Sequence, residues 1–338
     1  MSRGYFDFLR HSPAYSQAEK DWHIELVSCT YMWFDLIIDP MEGFDTAGMM
    51  RKYLQDLREN VKNTLDKHFV YYLASRIRVR FNTQKKPHYG LFSKKLIFYV
   101  EIGRKRKLKK YSVLFRDAET NKIIRPKIEI DSRHITIHNA IGGKMSIAVY
   151  DFLNWNDIET GVNSEVQYVG YTKNPAERPF DRDHRGFGDM IHWMSREDEA
   201  YDYFIYYNLF KVISIAPNPD AMLNFVVPNS MIDEVSVGDE GLILEKVLIK
   251  YFGAKPQELN KDRESSELNN RLETLATRHK INSITFDLSM NKPCELFRFF
   301  SRSVEPTDRH HFTCRIGESG AEIVAPKDLA FSSSTLSG

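Results

Sequence analysis

From Asp45 to about Leu73 the apolar residues Met49, Met50, Tyr53, Leu54, Leu57, Val61 and Leu65 recur at intervals of three and four. That period lines one face of a helix, with Gly48 near its start as the breaker. Ahead of it, residues 1–40 mix aromatics with short apolar runs, Ile24 to Leu26 and Tyr31 to Ile38, and close on the turn pair Asp39-Pro40. Behind it come β-rich segments. Strands are predicted at Leu91 to Ile102, Tyr111 to Phe115, Ile123 to Ile130 and His134 to His138, with turns at Asp117 to Asn121 and Asp131-Ser132. Residues 1–142 therefore read as a helix laid on an antiparallel sheet.

Ile141-Gly142-Gly143-Lys144 is the best boundary in the pattern. A strand at Met145 to Phe152, a polar loop at Asn154 to Glu165 and a strand at Val166 to Tyr171 follow. Asn174-Pro175 suits a helix start, since Asn caps and Pro fits the first turn. A strand is predicted at Tyr203 to Ile215, an inserted hairpin at Asp220 to Val237, and a strong helix at Asp239 to Phe252 ending on Gly253. The remainder predicts an amphipathic helix at Arg263 to Lys280, a strand at Ile281 to Leu288 and a short helix at Pro293 to Ser301. Small strands at Phe312 to Ile316 and Ala321 to Val324 come last. The expected organisation is α+β: an N-terminal region (1–142), a central domain (143–261), an α/β extension (262–330) and a disordered Ser-rich tail (331–338).

Composition excludes some classes. No run approaches 18 apolar residues, so no membrane span is expected, and the N-terminus lacks a secretory build. Three scattered cysteines, Cys29, Cys294 and Cys314, argue against a disulfide framework and suggest a cytoplasmic protein. The 338-residue chain carries a formal charge of only +1, but Arg76 to Lys110 holds 13 Lys or Arg against one acid, Glu101. Arg104, Lys105, Arg106, Lys107, Lys109 and Lys110 are its densest part. Such a segment suits a polyanion, DNA above all; the alternative is a solvated basic sheet face.

The chemistry-bearing stretch is Gln167-Tyr168-Val169-Gly170-Tyr171-Thr172-Lys173-Asn174-Pro175-Ala176-Glu177-Arg178. A strand ending in Tyr-Val-Gly, then a polar turn, then an Arg ten residues beyond Tyr168 resembles the second half of the GIY-YIG endonuclease signature. Ala148-Val149-Tyr150 resembles the first half, Leu242 to Lys250 the helix bearing the metal-binding Glu, and Pro256 to Asn260 the ending after it. The resemblance covers Tyr150 to Asn260, 111 residues. Ala148 replaces the first Gly, and the loop Asn154 to Glu165 would absorb the wide spacing of the two tyrosines.

The resemblance implies a small mixed sheet flanked by helices and a DNA endonuclease using Mg²⁺ or Mn²⁺. Glu245 would be the metal ligand, Arg178 the phosphate clamp, and Tyr150 and Tyr168, on adjacent strands, would orient or deprotonate the attacking water. His184 would shuttle a proton or contact phosphate, Gly170 would allow a tight turn, and Asn260 would tie the last turn to the core. A restriction or anti-phage role fits the large flanks, and double-strand cleavage would call for a homodimer or sequential nicking. Plainer readings stand beside these: Glu245 paired with Lys246 or Lys250, Arg178 with Glu177 or Asp181, and both tyrosines as strand packing. A nucleic-acid-binding protein on a degenerate nuclease fold is the competing function. His310-His311 read as surface residues.

Overall fold

The computed structural model describes residues 3–39, 45–63, 68–139, 142–172, 200–218, 223–253, 261–290, 294–317 and 320–324. The longest strands build one large sheet. It comprises β1 (Lys20–Trp33), β2 (His68–Ile77), β10 (Ser164–Thr172), β11 (Tyr201–Asn218), β12 (Leu223–Pro228), β13 (Ile281–Ser289), β14 (Phe299–Phe300), β15 (Arg309–Gly317) and β16 (Gly320–Val324). Their order is β14-β10-β2-β11-β1-β13-β15-β16, with β12 also on β11. All pairings are antiparallel except β1 with β13 and β10 with β14. β2 and β12 follow one another along one edge of β11, whose Tyr201–Phe210 pairs with β2 and Ile213–Asn218 with β12.

This sheet draws strands from all three of the expected regions. β1 and β2 come from the N-terminal region, β10, β11 and β12 from the central one and β13 to β16 from the C-terminal one, yet all share one hydrogen-bonded ladder. Local hydropathy marks where elements start and stop, not which distant strands pair. The coarser expectation, a mixed α+β fold, is what the structure has.

Residues 79–148 are inserted between β2 and β10. They form two small sheets: β3 (Val79–Phe81), β4 (His88–Tyr89), β5 (Leu96–Ile102) and β6 (Lys107–Val113), then the meander β7 (Lys127–Ile130), β8 (His134–His138) and β9 (Lys144–Ala148). Helices fill the gaps: α1 (Pro13–Ser16), α2 (Asp35–Ile38), α3 (Thr46–Asn63), α4 (Val149–Trp155), α5 (Asn229–Ile232), α6 (Val237–Phe252) and α7 (Lys261–His279).

Both faces of the large sheet are covered. Val70, Tyr72, Val169, Phe204 and Tyr206 meet α6 and the inserted sheets in the main core, and Tyr71, Leu73, Ile205 and Tyr207 meet Leu54 of α3 on the other side. Alternate residues of one strand thus serve two cores, as the pleat requires. The helix expected to reach Leu73 is described as far as Asn63, and Phe69 to Leu73 belongs instead to β2, a strand buried there on both faces. The helix expected at Asp239–Phe252 is present as α6, with Ser236 capping its start and Gly253 in the left-handed region at φ +57° closing it.

Candidate nucleic-acid interface

β5 alternates strictly. Leu96, Phe98 and Val100 point inward, fully buried with Phe81 and with Phe152 of α4, which leaves Ile97, Tyr99 and Glu101 facing outward. Register brings Ser112, Lys110 and Leu108 of β6 beside them, with His88 and Arg80 on the other flank. Lys85 sits with its ammonium 4.9 Å from the Tyr99 ring centre, a cation–π contact. The outer face is therefore an aromatic and aliphatic strip set among cations.

Its two ends differ. At the β5–β6 turn, Gly103 at φ +69° and Arg106 at φ +47° complete a tight reversal, and the Gly103 N–H donates to the Arg78 carbonyl at 2.8 Å. Arg78, Arg80, Arg104 and Arg106 gather there around a cavity of about 360 Å³ that also touches Glu101 and Ser132. Glu101 lies 3.9 Å from Arg106, and Asp35 and the buried Asp202 pair with Arg78 and Arg80 behind the cleft, so four guanidiniums still outnumber the carboxylates around it, and guanidiniums match phosphate geometry. At the other end, the β4–β5 connection carries Leu91 and Phe92 at its tip, followed by Lys94 and Lys95. Seven residues of β5 separate the ends, which is about 23 Å at strand rise.

The cleft is held by a buried ionic cluster. Asp202 of β11, fully buried, accepts from both terminal nitrogens of Arg80 at 2.6 and 2.8 Å, and the Arg78 Nε lies 3.6 Å away. Arg80 also reaches Asp35 at 3.0 Å and stacks over Trp33, 4.8 Å from its ring. Burial, then the nearby Asp202 charge, pushes the Asp35 carboxyl above its usual range, with Arg80 opposing. Arg80 thus forms the cleft wall, while Arg104 and Arg106 lie in its exposed rim.

Of the six basic residues singled out in the sequence, Arg104, Lys105, Arg106, Lys107 and Lys110 are exposed. Lys109 is half-buried on the inner side of β6 and donates to the Thr160 carbonyl at 2.5 Å, so it anchors the sheet instead. Arg76, at the start of the basic window, is buried and donates to Ser164 Oγ and the Glu295 carbonyl. Sequence reasoning passed over Arg78, Arg80, Tyr99, Leu91 and Phe92. The alternation Arg78-Val79-Arg80-Phe81 was a usable signal, since it is the pattern of a strand with one polar face; Arg76 and Ile77, at the end of β2, break it, being buried and exposed respectively.

Among the described residues implied by the GIY-YIG resemblance, Glu245 adjoins the strand of Tyr168 while Tyr150 stands apart. Tyr150 lies in the first turn of α4, not at a strand end, because β9 stops at Ala148. It is buried; its hydroxyl donates to Asp202 and accepts from the Val79 N–H at 3.0 Å. Burial, then the charge of Asp202, pushes the phenol well above its usual value, the wrong direction for a base. Tyr168 lies on β10, half-buried and stacked on Tyr71 with ring centres 6.0 Å apart. The two tyrosines are not on adjacent strands: β9 pairs with β8 in the three-stranded sheet, and β10 with β2 and β14 in the large one.

Gly170 stands within β10, not at a turn; a Cβ there would sit 2.4 Å from Tyr71 ring atoms, so the close approach of that ring requires glycine. Glu245 packs against the same strand, its Oε1 accepting from the Tyr171 N–H at 2.9 Å. Tyr171 pairs with Val70 and Asp202 with Arg76, so Glu245 and Tyr150 stand six β2 positions apart, roughly 20 Å. Arg178, His184 and Asn260 lie outside the described residues, as do residues 331–338. His310, expected at the surface, is buried, and its Nδ1 lies 3.0 Å from the Tyr251 hydroxyl. Among the described residues, no three His, Cys, Asp or Glu side chains gather as a metal site, and no helix is long and apolar enough to cross a membrane.

The chain matches no family model, no curated protein and no solved structure.

Proposed function

We propose that this protein binds nucleic acid, DNA in the first instance, along the outer face of the β3–β6 sheet. The four-arginine cleft at one end of a cation-bearing aromatic strip carries the reading. Phosphates would seat at Arg104, Arg106 and Arg78, and the backbone would run past Lys110 and Lys85 toward Lys94. A track of about 23 Å spans roughly seven nucleotides at 3.4 Å per step. Fluorescence anisotropy of a labelled 20-base-pair duplex, wild type beside Arg104→Ala/Arg106→Ala, tests it. Loss of affinity in the double variant supports the assignment; equal affinity places the contact elsewhere.

A second reading, a divalent-metal-dependent endonuclease, rests on one contact. The Glu245 carboxylate lies against the strand carrying Tyr168-Val169-Gly170-Tyr171, so two of the motif's pieces adjoin. In that reading Glu245 would hold Mg²⁺ or Mn²⁺, which would supply Lewis-acid stabilisation of the phosphate. Tyr150 has no part in it, being buried and about 20 Å away. Cleavage of supercoiled plasmid with Mg²⁺ or Mn²⁺ by wild type but not by Glu245→Ala would support this reading. No cleavage by either leaves binding as the activity.

A further inference from the structure

Leu91 and Phe92 are 81% and 93% exposed, the two most exposed large apolar side chains among the described residues. Keeping both in water forgoes the burial that apolar groups of this size ordinarily find. Their backbone is well defined. The Gly90 N–H donates to the Lys95 carbonyl at 2.9 Å and the Lys94 N–H to the Gly90 carbonyl at 3.1 Å, while Lys94 takes a left-handed φ of 57°. The Ser93 hydroxyl accepts from the Lys95 N–H at 3.4 Å. The turn is thus a small closed platform that holds two bare apolar side chains beyond the end of β5.

Cations adjoin it on both chain sides, Lys85 and Lys86 before β4 and Lys94 and Lys95 after the tip, all exposed. An apolar tip ringed by lysines could in principle enter a lipid surface or a stack of bases. The rest of the sheet decides between them. A lipid surface would meet one end of the sheet only, whereas the cations continue along the outer face to the arginine cleft about 23 Å away. A linear polyanion engages both ends at once.

We propose that the Leu91–Phe92 tip inserts between neighbouring bases of bound DNA, with the Phe92 ring taking a stacking position. The inference rests on the nucleic-acid reading above and adds the form of the complex: DNA opened or kinked at one step beside the track. Apolar wedges of this kind partly unstack a base step, and the bend lets the duplex meet more protein surface. Lys94 and Lys95 would hold the flanking phosphates while the step is open.

The test uses the full chain and a duplex carrying 2-aminopurine at successive positions, whose emission rises on unstacking, with anisotropy read from an end label. Wild type should bind and raise the emission several-fold. Leu91→Ser/Phe92→Ser, which alters only solvent-facing side chains, should bind about ten-fold more weakly and leave the emission flat. Its salt slope should match that of wild type, because no cation is removed. Binding by both proteins with equal affinity and no change in emission overturns the insertion and leaves nucleic-acid binding standing. Failure of wild type to bind any DNA overturns both, as does Phe92-dependent binding to phosphatidylserine vesicles in place of DNA.

Discussion

Arg80 holds Asp202 through both ends of its guanidinium, at 2.6 and 2.8 Å, across the junction between the inserted sheet and the large one. Asp202 is fully buried and Arg80 partly so, and the Tyr150 hydroxyl closes the same carboxylate from α4. One buried acid therefore fixes the orientation of the basic sheet on the core. Removing half of such a pair leaves an uncompensated charge, so Asp202→Asn should lower unfolding free energy by about 3 kcal/mol, read by urea denaturation. A change below about 0.5 kcal/mol, the range of ordinary surface substitutions, would show that the pair contributes nothing to the junction.

Tyr150→Phe removes one donor to Asp202 and leaves the Val79 N–H without its acceptor. The expected cost is about 1–3 kcal/mol of stability. Thermal melts of the two proteins decide it; an unchanged midpoint would free Tyr150 from the structural role assigned here.

Gly170→Ala drives a methyl toward the Tyr71 ring, at 2.4 Å before any relaxation. That ring lies in the core beneath α3 and stacks on Tyr168, so it has little room to give. Overpacking of this kind costs about 1–3 kcal/mol. A stability equal to wild type would mean the ring moves freely.

His310 supplies a pH signature. Burial pushes its imidazole down to about 4, so the folded state resists protonation that the unfolded chain accepts below about 6.5. The stability this gives is complete above pH 6.5 and is lost as pH falls toward 4, by roughly 3 kcal/mol in all. Melting points between pH 7 and 4.5 should fall for wild type and fall less for His310→Gln. Parallel curves for the two proteins would remove His310 as the cause.

Much of the secondary structure was legible in the sequence, and the pairing of strands was not. α6 was predicted within two residues at its start and on its last residue, where Gly253 marks the end chemically. β8 was predicted at its observed bounds. The stretch from Val149 to Phe152, the first part of α4, was read as continued strand because Val149 and Phe152 are apolar in either period. Tyr168 and Gly170 were placed on the right strand, but which face each would serve depends on the neighbour across the ladder. The basic face was half legible: the charge run exposed Arg104 to Lys110, whereas Arg78 and Arg80 join them only because the Gly103 N–H pins the β5–β6 turn to the Arg78 carbonyl.

The most direct test of the account is the salt dependence of duplex DNA binding. The logarithm of the binding constant against the logarithm of NaCl concentration should fall with a slope of about −5, the value for roughly six neutralised phosphates. Arg104→Ala/Arg106→Ala should bring that slope about two units closer to zero. A wild-type slope near zero, or a slope the double variant leaves unchanged, would contradict a nucleic-acid interface at the arginine cleft.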